Sequence, residues 1–126
     1  MKATTPRPIR VLLVDDHAVM RQGLSMLLRD EPDIEVIGEA CDGEEAVRSA
    51  RRLSPDVVLM DFSLPGIDGA EATRIIRSEL PEVRVVGLSM CEEEDGRGSA
   101  MKDAGAVAYF TKTGRPDLLL AAIRGR

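Results

Sequence analysis

Two kinds of hydrophobic pattern alternate along the chain. Ile9-Arg10-Val11-Leu12-Leu13-Val14 and Val57-Val58-Leu59-Met60 are almost unbroken apolar runs, which suit parallel strands covered on both faces. Between them the period changes. From Ala18, Met20, Leu24, Leu27 and Leu28 recur at i, i+4, i+7 and i+8, one stripe of a helix that Asp30-Glu31-Pro32-Asp33 breaks. Ile34 to Ala40 alternates and is partly β-branched, a strand nearer an edge. Asp42-Gly43-Glu44-Glu45 opens a second helix. Ala46, Val47, Ala50 and Leu53 face inward, Arg48, Arg51 and Arg52 outward, and Ser54-Pro55 closes it. The central run ends at Asp61, where Phe62-Ser63-Leu64-Pro65-Gly66 has turn chemistry.

A third helix is predicted from near Gly69 through Ala72, Ile75 and Ile76 to about Leu80, with Pro81 as its stop. Val83 to Leu88 reads as a fourth strand ending at Ser89. Beyond the acidic Glu92-Glu93-Glu94-Asp95, a loosely formed helix is expected over Glu94 to Ala104. Ala108-Tyr109-Phe110-Thr111 is a fifth strand ending at Lys112. Pro116-Asp117 opens a last helix with Leu118, Leu119 and Ala122 inward. Strand and helix thus alternate with short connections, and right-handed crossovers then give a parallel sheet with helices on both faces. Residues 1–8 form a lead-in and residues 9–126 a single α/β domain.

Composition narrows the functions open to such a domain. The 126 residues are enough for one core, with 44% hydrophobic and 31% charged residues. No apolar run approaches bilayer length, and Met1 to Arg10 lack the apolar centre of a signal peptide. Cys41 and Cys91 form no metal-like cluster with the single histidine, so reduced thiols in a cytoplasm are expected. The formal net charge of −5 argues against nucleic-acid binding by this segment.

Four predicted strand ends carry polar groups: Asp15 and Asp16, then Asp61, Ser89 and Lys112. In a parallel sheet these ends share one rim. Three carboxylates about 4–5 Å apart repel by several kcal/mol even at an effective dielectric near 20, and so call for a cation. Oxygen ligands in an incomplete cage suit Mg2+ shared with a phosphate. Lys112 and Ser89 suit phosphoryl oxygens, and Asp61 suits a carboxylate nucleophile that forms an acyl phosphate.

With Pro65 and Gly69 after the central acid, this set resembles the signature of response-regulator receiver domains of two-component signalling, over Ile9 to Arg124. The stretch Asp15 to Leu24 further resembles the branch joined to LuxR/NarL-type helix-turn-helix output domains. The resemblance implies a flavodoxin-like, CheY-like sheet of order 2-1-3-4-5. It implies phosphoryl transfer from a histidine kinase to Asp61, with Mg2+ held by Asp16, Asp61 and the Ser63 backbone carbonyl, and by Asp15 largely through water. It also implies that Lys112 pairs with Asp61 or its phosphate, that Ser89 moves to the phosphoryl group and that Tyr109 is the switch aromatic. The fourth helix, fifth strand and fifth helix would report the change to an output domain or a downstream protein, with a homodimer as a further outcome. By the same resemblance, Ser63 and Cys91 occupy places that in receivers tune phosphate lifetime. One departure from the family is Thr113 after Lys112, where a proline in a cis bond is frequent; a cis bond to a non-proline costs about 3 kcal/mol.

Other readings have to be weighed. A haloacid-dehalogenase-type phosphatase also uses an aspartyl phosphate, but its second Asp, two residues after the nucleophile, is Ser63 here. A flavin carrier would not place acids beside a phosphate. A receiver that only docks partners would not need the full acid, hydroxyl and lysine set. The receiver of a hybrid sensor kinase is a further alternative. His17 reads as a helix-start residue.

Overall fold

The computed structural model describes residues 7–89, 96–112 and 114–125. Five strands and five helices alternate: β1 (Ile9–Val14), α1 (Ala18–Arg29), β2 (Ile34–Ala40), α2 (Gly43–Leu53), β3 (Val57–Asp61), α3 (Gly69–Glu79), β4 (Arg84–Ser89), α4 (Arg97–Ala104), β5 (Ala108–Thr111) and α5 (Pro116–Ile123). The sheet order is β2-β1-β3-β4-β5, with every pair parallel. The expected order and class are therefore observed.

Two cores follow from the alternation of side chains along each strand. Leu12, Val14, Val58 and Met60 point to one face, where Ala46 and Ala50 of α2, Ile76 of α3 and Met101 of α4 cover them. Val11, Leu13, Val57 and Leu59 point to the other, under Leu24 and Leu28 of α1 and Leu119 and Ile123 of α5. All five residues of β3 are buried, as a central strand with helices on both sides requires.

Helices run antiparallel to the strands, so their C-termini gather on the rim opposite Asp61. Guanidinium groups meet the carbonyls there. Arg10 donates to Leu53 O and Ser54 O at the end of α2, both at 2.9 Å. Arg84 donates to Ala122 O at 2.9 Å and Ile123 O at 2.6 Å at the end of α5. Carbonyls at these helix ends thus meet positive charge, which suits the negative end of each helix. At the starts of α2 and α3, Asp42 and Asp68 accept from Glu45 N (2.7 Å) and Glu71 N (2.8 Å).

Two expectations are corrected. The fourth helix begins at Arg97, because Gly96 has φ 88° and cannot belong to a right-handed helix; Glu94 and Asp95 lie outside the described residues. On α5, Leu118 faces solvent at 46% exposure, while Leu119 and Ile123 are buried. Three adjacent leucines left that helix's phase open in the sequence, and packing on β4 and β5 decided it.

Candidate functional site

The strand register brings the acids together. Val14 of β1 pairs with Met60 of β3, so Asp15 and Asp61 are the next residues on neighbouring strands. Asp15 is fully buried and its Oδ1 accepts the His17 N–H at 2.8 Å. Asp61 sits at the end of β3, where its Oδ1 accepts the Ser63 N–H at 3.2 Å. On the far side, Lys112 N–H donates to Ser89 O at 2.7 Å, extending the β4–β5 ladder past Thr111. That extension carries the lysine into the site. Its ammonium lies 2.6 Å from Asp15 Oδ2 and 3.0 Å from Asp61 Oδ2, with the lysine side chain fully buried and that of Asp61 3% exposed.

Asp16 completes the group. Ligand atoms of Asp15, Asp16, Asp61 and His17 all lie within 4.8 Å of one another. Asp16 is more exposed than the other two acids, and His17 Nδ1 stands 3.1 Å from it and 3.3 Å from Asp15. Burial pushes the Asp61 carboxyl above its usual range, the Lys112 hydrogen bond and charge draw it back, and the charge of Asp15 raises it again. One ammonium thus faces two buried carboxylates, leaving negative charge in excess. Asp15 Oδ2 meets that ammonium without a well-aligned hydrogen bond, so a buried oxygen keeps the capacity to coordinate. This donor set fits a hard divalent cation.

The loop after Asp61 is set by close approach. Gly69 N donates to Phe62 O at 2.8 Å, and a Cβ on Gly69 would fall 2.2 Å from Asp61 O. No side chain fits there, so glycine lets α3 start directly against the end of β3. Gly66 has φ 77°, a left-handed residue in the stretch where the sequence has turn chemistry.

Ser89 is buried at the end of β4, one residue past the Asp61–Leu88 pair. Tyr109 lies further from the rim, opposite Gly87 on β4, half-buried, with its ring between two glycines. A Cβ on Gly87 of β4 would stand 2.6 Å from Tyr109 Cδ1, and one on Gly98 of α4 3.1 Å from Cδ2. The ring is therefore turned in under α4. The chain has one Tyr and no Trp, so tyrosine fluorescence reports this side chain alone. Gly87→Ala is expected to expel the ring and shift that emission toward a solvent-exposed tyrosine; unchanged emission would show that the slot tolerates a methyl group. Cys91 and the Lys112-Thr113 peptide lie outside the described residues.

The structure also places groups that the sequence did not single out. Arg21 of α1 donates to Asp15 O at 2.6 Å and to Glu39 of β2 at 3.0 Å, steadying the β1–α1 turn. Arg97 of α4 reaches the segment after Asp61. Its guanidinium donates to Ser63 Oγ at 3.3 Å and lies 5.5 Å from the centroid of the Phe62 ring. The i, i+4 stripe on α1 offered a hint of Arg21's inward side; nothing local marked Arg97.

The model of the response regulator receiver domain matches residues 11–124. The chain belongs to the response regulator receiver family. Among relatives, this receiver is 47% identical over 116 residues to the transcriptional regulatory protein LiaR of Bacillus subtilis, covering 92% of the chain and 54% of LiaR. It spans about half the length of the named relatives it matches. Among solved structures, the receiver domain of NarL from Mycobacterium tuberculosis superposes with a TM-score of 0.86 at 32% identity, covering 96% of the chain and all of that domain. A complex of CheX and CheY with beryllofluoride and Mg2+ from Borrelia burgdorferi gives a TM-score of 0.85 at 25% identity, covering 94% of the chain and 89% of the matched chain. Among the described residues no helix is long and apolar enough to cross a membrane.

Proposed function

We propose that this receiver takes a phosphoryl group from a histidine kinase onto Asp61 in a Mg2+-dependent reaction. The observation that carries the reading is the buried Lys112 ammonium shared by Asp15 and Asp61, with Asp16 beside them. Asp16, Asp61 and the Ser63 backbone carbonyl would hold Mg2+, and Asp15 would act through water. Mg2+ when bound supplies positive charge to phosphoryl oxygens. Mg2+ and beryllofluoride in the CheY complex support that role here.

In the transfer, an Asp61 carboxylate oxygen bonds to phosphorus while the bond from phosphorus to the donor imidazole breaks, and the imidazole takes up a proton. Lys112 leaves its contact with the free carboxylate and holds a phosphoryl oxygen, which compensates the charge that arrives. Ser89, on the adjacent strand end, turns its hydroxyl to the same group. The chain acts as a switch and not as an enzyme that releases a product. Tyr109 and the α4–β5–α5 surface carry the change outward. Val107 and Leu118 on that surface are 53% and 46% exposed, which suits docking of an output domain, a downstream protein or a second copy. The LiaR likeness favours control of transcription from the cytoplasm through a DNA-binding domain outside this segment.

Incubation with acetyl phosphate and Mg2+, followed by peptide mapping, tests the reading. Label is expected on Asp61 and is expected to disappear with EDTA. Label on another residue, or undiminished labelling without divalent metal, would defeat it.

A further inference from the structure

We propose that Arg97 is a positioning residue of the phosphoryl site, a clasp from the first turn of α4 that holds the segment after Asp61 and lengthens the life of the acyl phosphate. The lifetime part of this proposal rests on Asp61 being the phosphoacceptor. The clasp itself stands on geometry. Phe62 and Ser63 directly follow the acid. Ser63 is tied to Asp61 through its N–H, 3.2 Å from Oδ1, and to Arg97 through its hydroxyl, 3.3 Å from Nη1. The guanidinium also lies over the Phe62 ring, whose other contacts are with the core face shared by α2, α3 and α4. One side chain of α4 therefore grips both residues of the loop by two different forces, a hydrogen bond and a cation–π contact.

The position has a chemical consequence. Loss of the phosphoryl group is hydrolysis. A water oxygen bonds to phosphorus, the phosphorus–oxygen bond to Asp61 breaks, the carboxylate is regenerated, and both water protons leave on inorganic phosphate. The water must come from the solvent side, opposite the buried Asp61 oxygen, and exposed Ser63 borders that side. With its hydroxyl and the neighbouring ring held by Arg97, the loop has fewer arrangements that admit an attacking water in line. The guanidinium's charge also favours the doubly negative acyl phosphate over a neutral surface.

The same contact couples the site to α4 without passing through Ser89. Added negative charge on Asp61 strengthens the pull on a cation at the start of α4. Release of phosphate relaxes it. Gly98, the next residue of that first turn, packs on the Tyr109 ring, so a pull on Arg97 is felt there as well.

The test follows decay of acetyl-phosphate label in the chain and in Arg97→Ala, Arg97→Lys, Ser63→Ala and the Arg97→Ala/Ser63→Ala double variant. Removing a contact of this kind is expected to shorten the half-life about fivefold. Ser63→Ala should do the same, the double variant should add nothing to either single change, and Arg97→Lys should recover part of the loss. Thermal midpoints should not move. Decay of Arg97→Ala at the parent rate, or effects that multiply in the double variant, would overturn the proposal. Hydrogen exchange of the Ser63 amide in the unphosphorylated chain judges the clasp separately. It is expected to quicken in Arg97→Ala, and an unchanged rate sinks the clasp. If the parent chain took no label at Asp61, the phosphoacceptor reading and the lifetime role would fall together, while the exchange rate would still decide the contact.

Discussion

Asp61→Asn is expected to take up no label from acetyl phosphate and, in metal-free buffer at neutral pH, to unfold at a higher temperature than the parent. The first effect is chemical: an amide offers no carboxylate to phosphorus, and a neighbouring acid that is fully buried and ion-paired, as Asp15 is, is poorly placed to replace it. The second follows from charge. Two buried carboxylates share one ammonium, and neutralising one leaves Lys112 with Asp15 at 2.6 Å. No cation is orphaned, and the excess charge is gone. Relief of about 1–2 kcal/mol is expected, a fraction of the cost of an unpaired buried charge.

The pH dependence gives the sign. Burial raises the folded carboxyl of Asp61 above its ordinary value. Between the ordinary and the raised value the folded chain holds a proton that the unfolded chain has lost, so stability falls as pH climbs through that window. The Asn variant lacks this fall. Its advantage should be full above the window and absent below the ordinary carboxylate value. Thermal midpoints in EDTA across this range check it, and an Asn variant less stable than the parent at neutral pH would show that the acids are not in excess.

Lys112→Met should act in the opposite direction. The substitution keeps the apolar stem and removes the ammonium in contact with two nearly inaccessible carboxylates. Breaking such a contact from one side costs about 3–5 kcal/mol, because the charges left behind stay buried. The loss should shrink as pH falls and Asp61 takes up a proton, and millimolar Mg2+ should restore part of it by supplying another cation. Urea denaturation with and without Mg2+ measures both effects. A loss below about 1 kcal/mol would mean that water already screens the acids.

Much of this molecule could be read from residue order. The unbroken runs in β1 and β3 admit few placements other than the middle of a parallel sheet, since either face left bare would put valine and leucine in water. Once the strands are parallel, Asp15, Asp16, Asp61, Ser89 and Lys112 must share a rim, because each ends or follows a strand. The helix starts at Asp42 and near Gly69 were equally legible, since capping acts over three residues, although the cap at Asp68 was not singled out.

Contacts between elements distant in sequence were not legible. The phase of α5 depended on which leucine the sheet would accept, and the start of α4 on the sign of one φ angle at Gly96. The slot between Gly87 and Gly98 exists only because β4 and α4 meet over Tyr109. Arg97 grips Ser63 across 34 positions. Local order and hydrophobic period decide what each segment becomes and at which sheet edge its end lies, because those forces act within a turn or a strand. The distances at which one ammonium serves two acids, and which arginine reaches the loop beside them, depend on packing of the whole chain and were set by the tertiary structure alone.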